Sequence, residues 1–273
     1  MKTVLILGGN SGMGKASAIE LALKNYRVLI HGRDPVKTLA AMEEIIKVSG
    51  NKNVDSVSGD LSTIAGMRAT SAVINNKTEV IDSLILSTGV IMPKRVETAD
   101  GLETMFATQY LARFGMTQLL LPLLKRSELA RIVHVGAKVI GGAKVYFDNI
   151  SLKDSYSMIR AMKQSMFCNH LFIQEFAKRN SGSNMMMNMM QVGIAKTEVA
   201  RNVSFLFRLA MSVFGRSAKA ASKNIVHLAD AGSVNYSGYF LPNPRRTDKK
   251  EKILHDESIA SKLWETSMQL LNS

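Results

Sequence analysis

The chain has 273 residues, of which 46% are hydrophobic, and this is enough apolar material for a sizeable core. Its single cysteine, Cys168, excludes an internal disulfide and is compatible with a reducing compartment. The net charge of +13 favours anionic partners, but the basic residues are scattered and only 6% of residues are aromatic, so we expect no nucleic-acid binding.

Apolar runs bounded by turn residues predict the strands in chain order. These runs are Val4–Leu7, Val28–Ile30, Val54–Val57, Ser83–Leu86, Arg131–Val135 and Met185–Met190. Amphipathic stretches predict helices between them, at about 14–25, 35–48, 62–76, 101–125 and 157–179. Strands that alternate with helices are typical of a parallel sheet covered on both faces. Since no repeat, linker or shift in composition interrupts the pattern, we predict one domain over residues 1–273.

A glycine-rich loop joins the first predicted strand to the first predicted helix. Its residues are Gly8, Gly9, Asn10, Ser11, Gly12, Met13 and Gly14. A helix N-terminus has unpaired N–H groups and the positive end of the helix dipole, and glycines let the backbone approach a phosphate. The order of strand, glycine loop and helix therefore predicts a dinucleotide site, and a tight turn in an unrelated α/β protein is the alternative.

Arg33 follows the second predicted strand, where the adenosine ribose of a bound dinucleotide would lie. An acidic residue there would bind the ribose 2′-hydroxyl, whereas a basic residue accommodates a 2′-phosphate. Arg33 therefore favours NADP(H), with a plain surface arginine as the alternative.

The run of methionines at 185–190 could suggest a metal site. No histidine or cysteine accompanies it, and methionine fills irregular gaps in a core well. We predict a packed strand there and no metal site in the protein. The length of the apolar runs also predicts no membrane span, and the first run is too short for a signal peptide, so we expect a cytoplasmic protein.

Several motifs together resemble the short-chain dehydrogenase/reductase family, most closely its retinol-dehydrogenase-like branch. They are GGNSGMGKASAIEL at 8–21, HGRD at 31–34, GDL at 59–61, DGLETMFATQYLARFGMTQLLLPLL at 100–124, RIVHVGA at 131–137 and VGIAKTE at 192–198. The resemblance implies a Rossmann-type α/β fold, doubly wound, with a parallel sheet of about seven strands. It also implies NADP(H) and carbonyl reduction or alcohol oxidation. Residues 1–150 would be mainly the cofactor half, and 151–273 mainly the substrate and lid half.

The resemblance also implies which residues bind the cofactor. Carried over by motif, they are Gly8, Asn10, Ser11, Gly12, Met13, Gly14, Arg33, Asp60, Leu61, Gly89, Gly193 and Thr197.

The catalytic tetrad of the family, Asn–Ser–Tyr–Lys, is not retained in this chain. The matching positions are Gln109, Ala137, Met162 and Met166. In the family the tyrosine is the acid/base, the lysine lowers its pKa, the serine holds the substrate oxygen and the asparagine supports a proton relay. A thioether does not exchange a proton near neutral pH. We therefore predict a degenerate active site with negligible reductase activity and weakened cofactor binding.

Other polar groups lie near these four positions in the sequence. Lys138 and Tyr146 are the best-placed substitutes, ahead of His134, Tyr156 and Lys163. A solvated loop lysine is the ordinary interpretation of Lys138, and a strand histidine such as His134 is more often a core residue than a catalyst.

Residues 203–214, VSFLFRLAMSVF, lie where the family has a mobile lid over its substrate. A patch for peripheral membrane contact and a plain packed helix are the alternatives. For the whole chain three functions stay open. The first is a pseudoenzyme that senses a ligand or binds a protein partner. The second is an enzyme of altered chemistry on an apolar small molecule, and the third is a carbonyl reductase with displaced catalytic groups. An oligomer is compatible with each of them.

Overall fold

A computed structural model describes residues 1–191, 218–230, 234–242 and 249–273. In chain order the first elements are β1 (Thr3–Leu7), α1 (Gly12–Leu23), β2 (Arg27–Gly32), α2 (Pro35–Ser49), β3 (Val54–Ser58), α3 (Ile64–Lys77) and β4 (Ser83–Leu86). Then follow α4 (Thr104–Phe106), a π-helical turn (Ala107–Leu111), α5 (Ala112–Leu119), α6 (Leu121–Lys125) and β5 (Ala130–Gly136). The rest are a 3-10 turn (Phe147–Asn149), α7 (Met158–Arg179), β6 (Met185–Gln191), α8 (Ala218–Asp230), β7 (Tyr239–Leu241), β8 (Glu251–Lys252) and α9 (Glu257–Asn272).

The strands of the described residues form one sheet in the order β3-β2-β1-β4-β5-β6-β7-β8. The first seven in chain order are parallel, which confirms the predicted doubly wound α/β fold, and β8 pairs antiparallel with β7 at the edge. The sequence did not predict β8, because two charged residues carry no apolar pattern. The chain reverses its direction of travel across the sheet between β1 and β4, and ligands of such sheets bind outside the carboxyl ends of the strands there.

Alternation along the central strands divides the core into two layers. In β1 the side chains of Leu5 and Leu7 belong to one apolar cluster, while those of Val4 and Ile6 belong to the other. Successive strand residues point to opposite faces, so a wholly apolar strand must be covered on both sides. The first cluster includes residues of α3, α5, α7 and α9, and the second includes residues of α1, α2 and α8.

Local signals fix several helix ends. Asp34 caps α2 by accepting a hydrogen bond from the Lys37 N–H, Pro35 begins the helix, and Gly50 ends it with a φ of 71°. The side chain of Ser157 caps α7 by accepting from the Arg160 N–H.

The predicted helix at 101–125 is interrupted, which corrects the sequence-based expectation. It contains the π-helical turn Ala107–Leu111 and is broken again after Leu119, where α5 ends. The next helix, α6, has Pro122 in its first turn. Proline lacks an N–H donor and is tolerated in the first turn of a helix but not in its interior, which accounts for the second break. The π turn includes Gln109, and such turns are frequent at functional sites.

The methionine run forms β6, as predicted. Met187, Met189 and Met190 are buried, and the Met189 thioether fills the space beside Gly136 on the neighbouring strand.

Candidate active site

The glycine loop between β1 and α1 has the backbone that a close approach to a phosphate requires. Gly8 and Gly12 have φ angles of 81° and 52°, which favour glycine. The N–H groups of Gly8 and Gly9 both donate to the His31 carbonyl oxygen, at 3.1 and 2.8 Å. A Cβ on Gly14 would overlap the Gly8 carbonyl oxygen, so only glycine lets α1 pack this closely on the loop.

The N-terminus of α1 has no side-chain cap. The Ser11 side chain makes no capping hydrogen bond, and the first turn contains no acidic residue. The helices α2 and α3, by contrast, are capped by Asp34 and Thr63. The first N–H groups of α1 are therefore open to an anion, and they fit the pyrophosphate of a dinucleotide.

The other predicted cofactor residues that the structure describes lie around the same edge of the sheet. Arg33 is exposed directly after β2, and Asp60 is exposed with its Oδ1 accepting from the Ser62 N–H at 2.9 Å. Asn10 donates to the Thr38 hydroxyl at 3.3 Å, which ties the loop to α2. Met13 and Leu61 pack into the core, so their contribution to a cofactor site would come from the backbone.

Some predicted residues fall outside the described part of the chain. These are Gly193, Thr197 and the segment 203–214. Among the described residues, no helix combines the length and the apolar character that crossing a bilayer requires.

Helix α7 contacts two of the predicted tetrad positions, Ala137 directly after β5 and Gln109 on the π turn. Its Asn169 donates to the Gln109 carbonyl oxygen at 2.9 Å, and the ring Nε2 of the next residue, His170, lies 3.0 Å from the Ala137 carbonyl oxygen. Met166 precedes Asn169 on the same helix, and Met162 lies one turn earlier. The consecutive residues Asn169 and His170 thus connect α7 to Gln109 and to Ala137.

The side-chain amide of Gln109 is bound to the backbone after β4. Its Nε2 donates to the Val90 carbonyl oxygen at 2.5 Å, and its Cγ lies 3.5 Å from where a Cβ on Gly89 would be. The amide therefore braces the segment after β4.

Met162 lies in apolar surroundings. It is half-buried and packs, together with Tyr146 and Tyr156, against a small cluster of Met105, Leu152 and Ala161. The Tyr156 hydroxyl donates to the Met92 carbonyl oxygen at 2.5 Å, and burial raises its pKa to about 12. A phenol with that pKa is a weaker acid than an ordinary tyrosine, because its charged form is disfavoured.

The other polar side chains named as substitutes are exposed, hydrogen-bonded to the backbone or buried. Lys138 is exposed and lies 3.6 Å from Glu251. Lys163 donates to the Gly141 carbonyl oxygen at 2.8 Å. His134 is fully buried against Phe172, and burial lowers its pKa well below the usual range, so the ring is neutral at physiological pH.

Arg113 is buried beside the candidate site, near Gly89, and it was not singled out from the sequence. Only 7% of it is exposed, and burial lowers its pKa to about 10, so it is still charged at neutral pH. Its guanidinium donates to the Thr88 carbonyl oxygen, through Nε at 3.2 Å and Nη2 at 2.5 Å, and to the Val135 carbonyl oxygen at 2.9 Å. It therefore ties together the carboxyl ends of β4 and β5. A lone arginine within the apolar stretch LARFGMTQLLL was the signal for it.

Comparison with known proteins shows the family of this chain. A profile described as short chain dehydrogenase matches residues 2–204. The chain belongs to the short chain dehydrogenase family. Its relatives place it in the retinol-dehydrogenase-like branch of that family. Human Retinol dehydrogenase 12 is 33% identical over 273 residues, covering 99% of this chain and 86% of the relative. Mouse Retinol dehydrogenase 14 is 30% identical over 283 residues, covering 97% of this chain and 84% of the relative.

Solved structures share the fold of this short chain dehydrogenase. An uncharacterized protein from Mycobacterium paratuberculosis has a TM-score of 0.78 at 24% identity, covering 100% of this chain and 94% of that one. The Pseudomonas aeruginosa RhlG/NADP active-site complex has a TM-score of 0.66 at 22% identity, covering 84% of this chain and 89% of that one.

Proposed function

We propose that this short chain dehydrogenase homologue binds NADP(H) without the ordinary carbonyl-reductase chemistry of its family, and that it serves as a cofactor-dependent binding protein for an apolar small molecule. The observation that carries the proposal is the set of side chains at the four tetrad positions: an amide, a methyl group and two thioethers. None of these groups exchanges protons near neutral pH. A bound nicotinamide cofactor would supply a hydride, but nothing at these four positions would supply the accompanying proton.

Two observations support cofactor binding. The uncapped N-terminus of α1 and the close-packed glycine loop fit a pyrophosphate, and exposed Arg33 fits a 2′-phosphate. Met166 offers no charge to the ribose, so we expect weaker binding than a lysine at that position would give.

A carbonyl reductase with displaced catalytic groups is less well supported. Lys138 faces solvent beside Glu251, Lys163 is bound to a backbone carbonyl, and the Tyr156 hydroxyl is occupied by the Met92 carbonyl. Tyr146 is the remaining substitute, and the Lys144 ammonium and the Arg160 guanidinium lie beside its ring. Altered chemistry that needs no proton transfer stays the second candidate, because apolar side chains surround Met162.

A protein partner and an oligomer are compatible with either function. We also propose a cytoplasmic location, because the only cysteine is a buried free thiol that fits a reducing compartment.

The first test concerns the cofactor. We expect calorimetry to give NADPH about tenfold tighter binding than NADH, because Arg33 would add a charge-assisted hydrogen bond to the 2′-phosphate. Arg33→Ala should remove this preference, whereas Arg126→Ala, an exposed arginine on another loop, should keep it. Equal affinities for the two cofactors in the parent protein would contradict the role given to Arg33. No binding of either would remove the cofactor from the proposed function.

The second test concerns turnover. We expect negligible NADPH oxidation with a panel of aldehydes, ketones and retinoids, because general acid–base catalysis commonly contributes about a hundred- to ten-thousandfold and none of the four predicted tetrad side chains can provide it. Absorbance of NADPH is the measurement. Robust turnover that disappears in Lys138→Ala or Tyr146→Phe would overturn the proposal in favour of displaced catalytic groups.

A further inference from the structure

A second site on the molecule is a surface cavity at the start of α7, which we call the basic cavity. Its volume is about 220 Å³, and it is lined by Gly142, Lys144, Tyr146, Ser157, Arg160 and Lys163 among others. No residue of the glycine loop lines it. Two separate stretches of chain build it: the segment after β5 and the first turns of α7.

The three cations of the basic cavity have no carboxylate partner among the described residues. Lys163 donates to the Gly141 carbonyl oxygen, and Arg160 donates to the Ser155 carbonyl oxygen. The Lys144 ammonium lies over the ring of Tyr146. At the other end of the same helix, Lys178 and Arg179 pair with Glu257, Glu175 and Glu265. The unpaired cations are therefore a local feature of the cavity rather than a general property of α7.

These positive charges are close enough to repel one another. The Lys144 Nζ lies 4.9 Å, and the Arg160 Cζ 5.7 Å, from the centroid of the same Tyr146 ring, so the two distances add to at most 10.6 Å between the charges. This upper bound is about one Debye length at an ionic strength of about 0.1 M. The positive end of the α7 dipole adds to the same potential. An anion in the cavity would relieve this repulsion.

The kind of anion follows from the charge and the donors. Three cations surround the cavity, and a phosphate monoester carries about −1.5 to −2 charges at pH 7, whereas a carboxylate carries one. A guanidinium, two ammonium groups and the Ser157 hydroxyl match the several acceptor oxygens of a phosphate. We propose that the basic cavity binds a phosphate group, from a phosphorylated small molecule or a lipid headgroup. Tyr146 lines the cavity and also packs, like Met162, against the apolar cluster of Met105, Leu152 and Ala161, so a bound phosphate would lie near the apolar part of the candidate active site.

The test is a titration of the whole protein with inorganic phosphate, followed by amide NMR shifts at an ionic strength kept constant with chloride. We expect saturable shifts at Gly142, Ser157 and Lys163. The triple variant Lys144→Gln, Arg160→Gln, Lys163→Gln should weaken this binding about tenfold or more, because it removes charge-assisted contacts. The control Lys47→Gln, Lys52→Gln, Lys125→Gln loses the same charge at exposed positions elsewhere and should change the affinity less than twofold.

A single charge reversal tests the cavity if the triple variant folds poorly. Lys144→Glu changes an exposed side chain that donates to no backbone carbonyl of the described residues. It should also weaken phosphate binding. Shifts equal to those in chloride alone, or shifts confined to residues 8–14, would overturn the proposal. The amides of Gly12 and Gly14 report the cofactor site separately, so failure here leaves the proposed function intact. Vesicles of phosphatidylcholine with and without phosphatidic acid then distinguish the two sources of the phosphate. Binding to the acidic vesicles alone would indicate a lipid headgroup, and binding to neither would indicate a phosphorylated small molecule.

Discussion

The fourfold variant Gln109→Asn, Ala137→Ser, Met162→Tyr, Met166→Lys is expected to acquire measurable NADPH-dependent carbonyl reduction. We expect turnover at least about a hundredfold above the parent protein, because a positioned acid and base commonly contribute that much. Positions 162 and 166 are four apart on α7 and share one face, as an acid/base tyrosine and the lysine that tunes it must. Asn169 and His170 already hold the backbone of the other two positions.

The partial variants should reveal that the four groups act together. Tyrosine alone should give little activity, because its pKa near 10 would remain untuned. Lysine alone should mainly tighten cofactor binding. This strong non-additivity is expected of residues that act as a unit. A control with Met42→Tyr and Met268→Lys makes two of the same changes at half-buried methionines elsewhere and should stay inactive.

A fourfold variant that folds, binds NADPH and yet reduces no substrate would contradict this expectation. The pocket would then have been remodelled beyond the four positions. The side-chain bond from Gln109 to Val90 is the first place to look, because the shorter asparagine cannot brace the segment after β4 in the same way.

Arg113→Met is expected to lower the free energy of unfolding by about 2–4 kcal/mol. The substitution keeps an apolar stem but leaves the carbonyl oxygens of Thr88 and Val135 without their donor, and an orphaned buried polar group costs about 1–3 kcal/mol. The variant no longer buries a charge, and this gain offsets part of the free energy that is lost with the hydrogen bonds. Because these carbonyls end β4 and β5, NADPH binding should weaken as well. Urea denaturation and calorimetry measure the two effects.

Two further arginine variants separate the causes. Arg126→Met removes an exposed arginine that donates to one carbonyl, and its free energy of unfolding should change by about 0.5 kcal/mol or less. Arg113→Lys keeps the charge but loses the planar guanidinium that spans two carbonyls. Its free energy of unfolding should therefore fall by an intermediate amount. Unchanged stability in Arg113→Met would mean that the hydrogen bonds do no more than offset the cost of burying the charge.

The parallel sheet and the glycine loop could be predicted from sequence because their signals are local. An apolar strand such as Val4–Leu7, a glycine loop and a following amphipathic helix are each contained in a few consecutive residues, and each has few backbone solutions. The methionines at 162 and 166 could likewise be placed on one helix face from their spacing alone.

Other features depend on residues that are distant in sequence. The edge strand β8 exists because Glu251 and Lys252 pair with β7, and nothing in a charged dipeptide indicates this. The π turn at Ala107–Leu111 carries no local breaker, and one of its carbonyls is held by Asn169 from another helix.

The sequence by itself determined the fold class and the glycine loop, because these depend on local pattern and residue chemistry. The loss of proton-exchanging groups at the tetrad positions stays a prediction from the sequence. Only the tertiary structure decided that Arg113 is buried across two strand ends, and that Lys144, Arg160 and Lys163 surround one cavity. The burial and the electrostatic environment of a charge are set by everything packed around it. A charged residue in a sequence therefore does not reveal whether it faces water, a backbone carbonyl or another charge.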